Sequence, residues 1–198
     1  MTFKNDRMVV SSESFPFFQN TYRVESMDFF ETIIKNKRYN SFQSEESLNH
    51  DQLKQLLACA QLAPSLSATQ NFAYIIITDP SLKSEISKKI VNTDIDIINA
   101  AFIFAVVVVH DENDDKNIID AIIASNQLML AATSMNLGTN LIVDFNESID
   151  ELLGLNEELA IVGLIPVGKT VDKGYQGLKR SISDLAFHNT INTRFKFE

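Results

Sequence analysis

The chain has 198 residues, 17 basic and 26 acidic side chains, a net charge of −9 and a hydrophobic content of 45%. That length and balance fit one globular domain with a substantial core. The negative charge makes nucleic acid and anionic membranes poor partners, although a local basic pocket is compatible with it. One cysteine, Cys59, allows no internal disulfide and fits a reducing compartment.

Residues 1–26 show no clear period and hold Phe15-Pro16-Phe17-Phe18, so they read as an irregular arm whose aromatics dock on the domain or on a partner subunit. They do not form a signal peptide, because Lys4, Asp6, Arg7 and Arg23 interrupt any apolar run. Met27 opens a helix whose Phe29, Phe30, Ile33 and Ile34 share one apolar face; it ends in Lys35, Lys37 and Arg38, cations favoured at a helix C-terminus. A second helix spans Asp51–Leu62 with Asn49 or Asp51 as cap, and Cys59 sits in its apolar pattern as a small hydrophobe.

The segment Ala63–Phe72 connects this helix to a strand at Phe72–Thr78. Pro64 stops the helix, and Ser65, Ser67 and Thr69 leave hydroxyls and N–H groups able to wrap a phosphate-bearing or polar heteroaromatic ligand. Such residues are common in plain polar connections, and taken alone the segment favours that reading. Asp79-Pro80-Ser81 then starts a helix running to about Val91. Phe102–Val109 is an unbroken apolar strand, expected at the centre of its sheet. The following His110–Asp115 run reads as a solvated acidic turn, not a metal site.

The longest helix runs from about Asp115 to Asn136 and is expected to end on Gly138 as a left-handed cap. Its apolar residues cover more than one stripe, which calls for a central helix or an obligate subunit interface. A strand at Thr139–Val143, a short helix at Ser148–Leu153, a strand at Ala160–Val167 and a helix start at Ser183-Asp184 complete the series. Helices of uneven length between strands, without a Gly-rich dinucleotide fingerprint, favour α+β. The apolar stretch Ile97–Val109 is too short to span a bilayer, which points to a cytoplasmic protein.

No nucleophile elbow, zinc-binding His pair, Cys pair or phosphate-binding P-loop is present, and His50, His110 and His188 are isolated in polar segments. Chemistry in such a chain often belongs to an organic cofactor. The ordered series Lys37-Arg38-Tyr39-Asn40-Ser41-Phe42, Ala63-Pro64-Ser65, Gln70-Asn71-Phe72, Ser125–Ala132, Asn136-Leu137-Gly138-Thr139, Leu164-Ile165-Pro166-Val167-Gly168 and Arg180 with Asp184 resembles the FMN-dependent nitroreductase family over roughly residues 27–190.

The resemblance implies one domain, 27–198, behind the 1–26 arm. Its fold would be α+β, with a central, mostly antiparallel sheet flanked by helices, in an obligate homodimer with FMN at the subunit interface. It implies hydride transfer from NADH or NADPH through the flavin to nitroaromatic, quinone or similar acceptors, with no catalytic side chain and no metal. It places Arg38, with Tyr39 and Asn40, and Lys179 and Arg180 on the FMN phosphate and ribityl region. Pro64, Ser65, Leu66 and Ser67, with Gln70 nearby, would pack on the flavin ring from the other subunit. The backbone at Val143 and Asp144 would face flavin N5 and O4. This chain has Ser41 where the family has a basic residue, Ala68 for an Asn, and Asn71-Phe72 for Pro-Trp. Those departures support an alternative: a non-enzymatic dimer of the same fold that binds flavin or another ligand without turnover.

Overall fold

The computed structural model describes residues 28–43, 49–66, 69–91, 94–111, 114–146 and 148–197. The 1–26 arm with its Phe15–Phe18 cluster, and the loop residues Ser67 and Ala68, lie outside the described residues. In chain order the elements are α1 (Phe29–Lys35), α2 (His50–Gln61), β1 (Phe72–Ile77), α3 (Pro80–Ser87), β2 (Phe102–Val109), α4 (Lys116–Ser134), β3 (Gly138–Thr139), α5 (Ser148–Leu152), β4 (Leu159–Gly168) and a 3-10 turn (Ile182–Asp184).

Four strands form one sheet in the order β1-β2-β4-β3, every neighbouring pair antiparallel. Strand β2 is central because its side chains are apolar on both faces. Phe104, Val106 and Val108 pack with Leu56 of α2 and with Ala121, Ala124 and Leu128 of α4. Ile103, Ala105 and Val107 pack on the opposite face with Ile86 of α3 and Ile149 of α5. Each Phe, Leu, Ile or Val among them contributes about 1.5–3 kcal/mol through removal of apolar surface from water. The two faces therefore make three layers, α/β/α, within an α+β chain. A bulge opposite Val106 and Val107 shifts the alternation in β4, so that Ile161 and Leu164 share one face although they are an odd number of positions apart.

The helix boundaries follow local chemistry. Asn49 accepts from the Gln52 N–H while Gln52 reaches back to the Asn49 N–H, a capping box that starts α2. Asp79 accepts from the Leu82 N–H, with Pro80 at the first helical position of α3.

Two features differ from the sequence reading, and a third answers what it left open. The left-handed residue after α4 is Asn136, at φ 59°, not Gly138. Asn tolerates this conformation, and Gly138 is instead needed for close approach at the start of β3. That strand holds only two residues, and Ile142 rejoins the sheet through a separate bridge to Leu164. The apolar face of α1 covers no core of its own subunit: Phe30 is 71% and Ile34 65% exposed, and Thr32 is the residue turned inward.

Candidate functional site

Beyond α1 the chain runs in extended form past the C-terminal end of α4. Asn36 accepts a hydrogen bond from the Thr133 hydroxyl at 3.4 Å. The Tyr39 N–H donates to the Thr139 carbonyl at 3.0 Å, and Arg38 exchanges both backbone hydrogen bonds with Tyr175 at 3.0 and 2.7 Å. The exposed Arg38 guanidinium lies 5.2 Å from the centre of the Tyr175 ring, a cation–π contact that fixes where the cation is held.

Two side chains pin this segment. The Asp172 carboxylate accepts from the N–H groups of Asn40 at 2.8 Å, Ser41 at 3.0 Å and Gly174 at 2.9 Å. The Asn140 amide donates to the Tyr39 carbonyl at 3.1 Å and to Asn40 Oδ1 at 3.0 Å. Burial pushes the Tyr39 phenol above its ordinary value; the Asp172 charge adds to this and Lys35 opposes it. Arg38, Tyr39 and Asn40 thus form a single rigid edge supported by residues more than 90 positions away.

The loop after Asn140 runs beside this edge. Ile142 exchanges backbone bonds with Leu164 at 2.9 Å, and the Asp144 carbonyl accepts from the Val91 N–H at 3.0 Å. Among the described residues, the N–H groups of Val143 and Asp144 have no protein acceptor, and Val143 is 57% exposed. An apolar side chain and two unengaged donors on one exposed turn suit a flat ligand with acceptor atoms at its edge. Lys179 and Arg180 are exposed a few residues beyond Tyr175, and Arg180 donates to the Asp184 carbonyl. The Asp184 carboxyl is held below its usual range by its hydrogen bond and ion pair with Arg194.

The connection after α2 lies elsewhere. The Ser65 hydroxyl donates to Asp120 Oδ2 at 2.5 Å and the Leu66 N–H to Asp120 Oδ1 at 2.7 Å. Asp120 is 1% exposed, in the first turns of α4. Gln70, left-handed at φ 49°, donates its side-chain amide to the Gln61 carbonyl at 2.7 Å. The Ser65 hydroxyl therefore turns inward, contrary to the reading that the run of hydroxyls faces a ligand. Pro64 and Leu66 face solvent instead.

The predicted residues fall into two groups. Arg38, Tyr39 and Asn40 lie at the C-terminal end of α4, with Val143 and Asp144 in the loop that follows Asn140 and Lys179 and Arg180 in the segment that follows Tyr175, while Pro64, Ser65, Leu66 and Gln70 lie toward the N-terminal end of α4. At about 1.5 Å per residue, the helical interval from Asp120 to Thr133 separates them by about 20 Å. A cavity of about 450 Å³ beside Glu85, Lys88, Lys89 and Asn146 contains none of them. Asp120, Asn140, Asp172 and Tyr175 were missed in the sequence; only Asp120 left a signal, a lone acid inside an apolar helical stripe. His50, His110 and His188 are exposed, and burial pushes the Cys59 thiol up, away from nucleophilic use. Among the described residues no cluster of His, Cys, Asp or Glu could hold a metal ion, and no helix is long and apolar enough to cross a membrane.

The sequence model of the Nitroreductase family matches residues 92–169, the stretch that carries β2, α4, β3, α5 and β4. A nitroreductase family protein of Clostridium novyi NT superposes with a TM-score of 0.69 at 26% identity, over 85% of this chain and 97% of that one. Over residues 92–169, and in its fold, the chain resembles the nitroreductase family. A candidate NAD(P)H nitroreductase of Bacillus subtilis (strain 168), YdgI, is 22% identical over 82% of this chain and 98% of its own. A candidate nitroreductase from Exiguobacterium sibiricum 255-15, solved in complex with FMN, shares the fold at a TM-score of 0.75 and 21% identity, over 83% of this chain and 98% of that chain.

Proposed function

We propose that this protein is a divergent member of the nitroreductase family, an FMN-dependent oxidoreductase that works as a homodimer, taking hydride from NADH or NADPH and passing it to nitroaromatic, quinone or similar acceptors. The observation that carries this reading is the separation of the two residue groups along α4. A ligand can touch both only if a second subunit brings its Pro64–Leu66 loop to the first subunit's Arg38 edge. The exposed apolar face of α1, with Leu178, Ile182 and Leu185 in the C-terminal segment, offers surface for that contact.

The residues fit the cofactor. Arg38, Lys179 and Arg180 are exposed cations in an acidic chain and would hold the phosphate, Arg38 in a fixed orientation against Tyr175. The Val143 and Asp144 N–H groups would donate to the polar edge of the ring, and Pro64 and Leu66 of the second subunit would cover its apolar face. Bound FMN supplies a ring that accepts a hydride and gives it up, so no side chain need act as general acid or base. Support for the cofactor comes from the FMN complex of the Exiguobacterium relative, and support for the hydride donor from the name of the Bacillus relative.

Asp172 favours a second reading. Where the family carries a basic residue, Ser41 donates its N–H to a carboxylate, so the pyrimidine side of a flavin would meet no cation from this position. A flavin bound without turnover would follow. Purified protein separates the two: yellow colour, one FMN per subunit and oxidation of NADH or NADPH with a quinone support the enzyme. Bound FMN with no such oxidation supports the second reading. Colourless protein that takes up no added FMN overturns both.

A further inference from the structure

We propose that Asp120 is a positioning residue for the flavin-covering loop, acting through Ser65 and Leu66. The inference rests on the reading of the Pro64–Leu66 loop as one wall of a flavin site.

Asp120 stands in α4 among Ile118, Ile119, Ala121, Ile122 and Ile123, and its side chain is almost wholly buried. A carboxylate in such a stripe loses its hydration, and an apolar residue at the same place would pack without that loss. Stability of the helix therefore gives no reason for an acid here. The two carboxylate oxygens do what no apolar side chain can: one takes the Ser65 hydroxyl at 2.5 Å, the other the Leu66 N–H at 2.7 Å. Two short bonds from consecutive residues fix both the path and the rotation of the loop. The loop so fixed holds Leu66 outward, 62% exposed. An apolar side chain locked into solvent by a buried charge is preorganised for contact with something outside its own subunit. Helix α4 carries that clamp at one end and the Arg38 edge at the other, so each subunit would give its loop to one site and its Arg38 edge to the other.

The test compares Asp120→Asn, Ser65→Ala and Lys83→Met with the unsubstituted protein. Asn keeps the size of the side chain but removes the charge. Lys83→Met perturbs a different buried polar group, one that donates to the Ala100 carbonyl at 2.6 Å. Amide exchange of Leu66 in the flavin-free protein, FMN titration, visible circular dichroism of bound FMN and sedimentation are measured for each. Asp120→Asn should speed Leu66 exchange, alter the visible dichroism and weaken FMN binding about tenfold, with the dimer intact. Ser65→Ala should do the same to a smaller extent, about threefold, and it carries the test if Asp120→Asn does not fold. Lys83→Met should leave FMN binding and the visible dichroism unchanged. If the Asp120 and Ser65 variants bind FMN with the affinity and dichroism of the unsubstituted protein, the inference is overturned. It is equally overturned if Lys83→Met weakens binding as much. Failure of the unsubstituted protein to bind FMN overturns the flavin reading and this inference together.

Discussion

Gly138 gives the sharpest structural prediction, because it couples packing to the Arg38 edge. A Cβ built at this position would lie 2.0 Å from Thr170 Cγ2, 2.8 Å from Tyr39 Cγ and 2.9 Å from Tyr39 Cδ2. Carbon atoms pack at about 3.5–4.0 Å, so all three neighbours must move. Thr170 is β-branched and its rotation exchanges one heavy atom for another. Tyr39 is tied by its N–H to the Thr139 carbonyl, beside Gly138 itself. Gly138→Ala should therefore lose about 2 kcal/mol of stability through overpacking and lower Tm by about 4–8 °C. Thermal and urea unfolding at one fixed protein concentration measure this, since a dimer's apparent stability depends on concentration. Thr170→Ser in the same background removes the closest atom and should restore about half of the loss. FMN titration of the same proteins should show weaker binding, because Tyr39 adjoins Arg38. A Gly138→Ala protein within about 0.5 kcal/mol of the parent and unchanged in FMN affinity would refute the reasoning.

Two further predictions concern other parts of the chain. Burial pushes the Tyr74 phenol up to about 12, against a hydrogen bond with Ser125 that pulls it down. The folded state thus keeps a proton that the unfolded chain loses near pH 10, and stability should fall between pH 10 and 12 by about 1.4 kcal/mol per pH unit from this group. Urea unfolding across that range should show the extra slope in the parent and not in Tyr74→Phe; equal slopes would count against it. The paired substitution Phe30→Ser and Ile34→Ser should leave the subunit folded, since both side chains are exposed in it, yet weaken dimerisation at least 100-fold by removing about 3 kcal/mol or more of interface burial. Sedimentation reads the outcome, and an unchanged dimer would place the interface elsewhere.

The fold was legible wherever local chemistry and burial agree. The bounds of β2 at Phe102–Val109 follow from the unbroken apolar run, and its central place follows from having two faces to cover. The starts of α2 and α3 were written in Asn49 and in Asp79-Pro80. What the pattern left open was which surface the apolar stripe of α1 meets. Phe29, Phe30, Ile33 and Ile34 have helical spacing whether they meet a sheet or a second chain, and periodicity cannot distinguish the two. The α4 terminus misled for a related reason. Asn136 and Gly138 are both able to take a left-handed cap, and tertiary contact with Tyr39 and Thr170 decides where the glycine is needed.

The contacts that organise the candidate site were not legible in the sequence, because the groups that make them act over long separations. Ser65 meets Asp120 and Asn40 meets Asp172, pairings of 55 and 132 residues, and no local window contains both members. This changes how the acidic balance of the chain bears on the site. Two carboxylates stand close to the proposed ligand surfaces, yet each is engaged by donors of the loop it holds. Asp120 takes a hydroxyl and an N–H, and Asp172 takes three N–H groups. A carboxylate surrounded by oriented donors exerts much less outward field than a free one. The Arg38 guanidinium, held against the Tyr175 ring, would keep its charge for the anion of the proposed ligand. The net charge leaves room for a local basic pocket, and an arrangement of this kind would supply one.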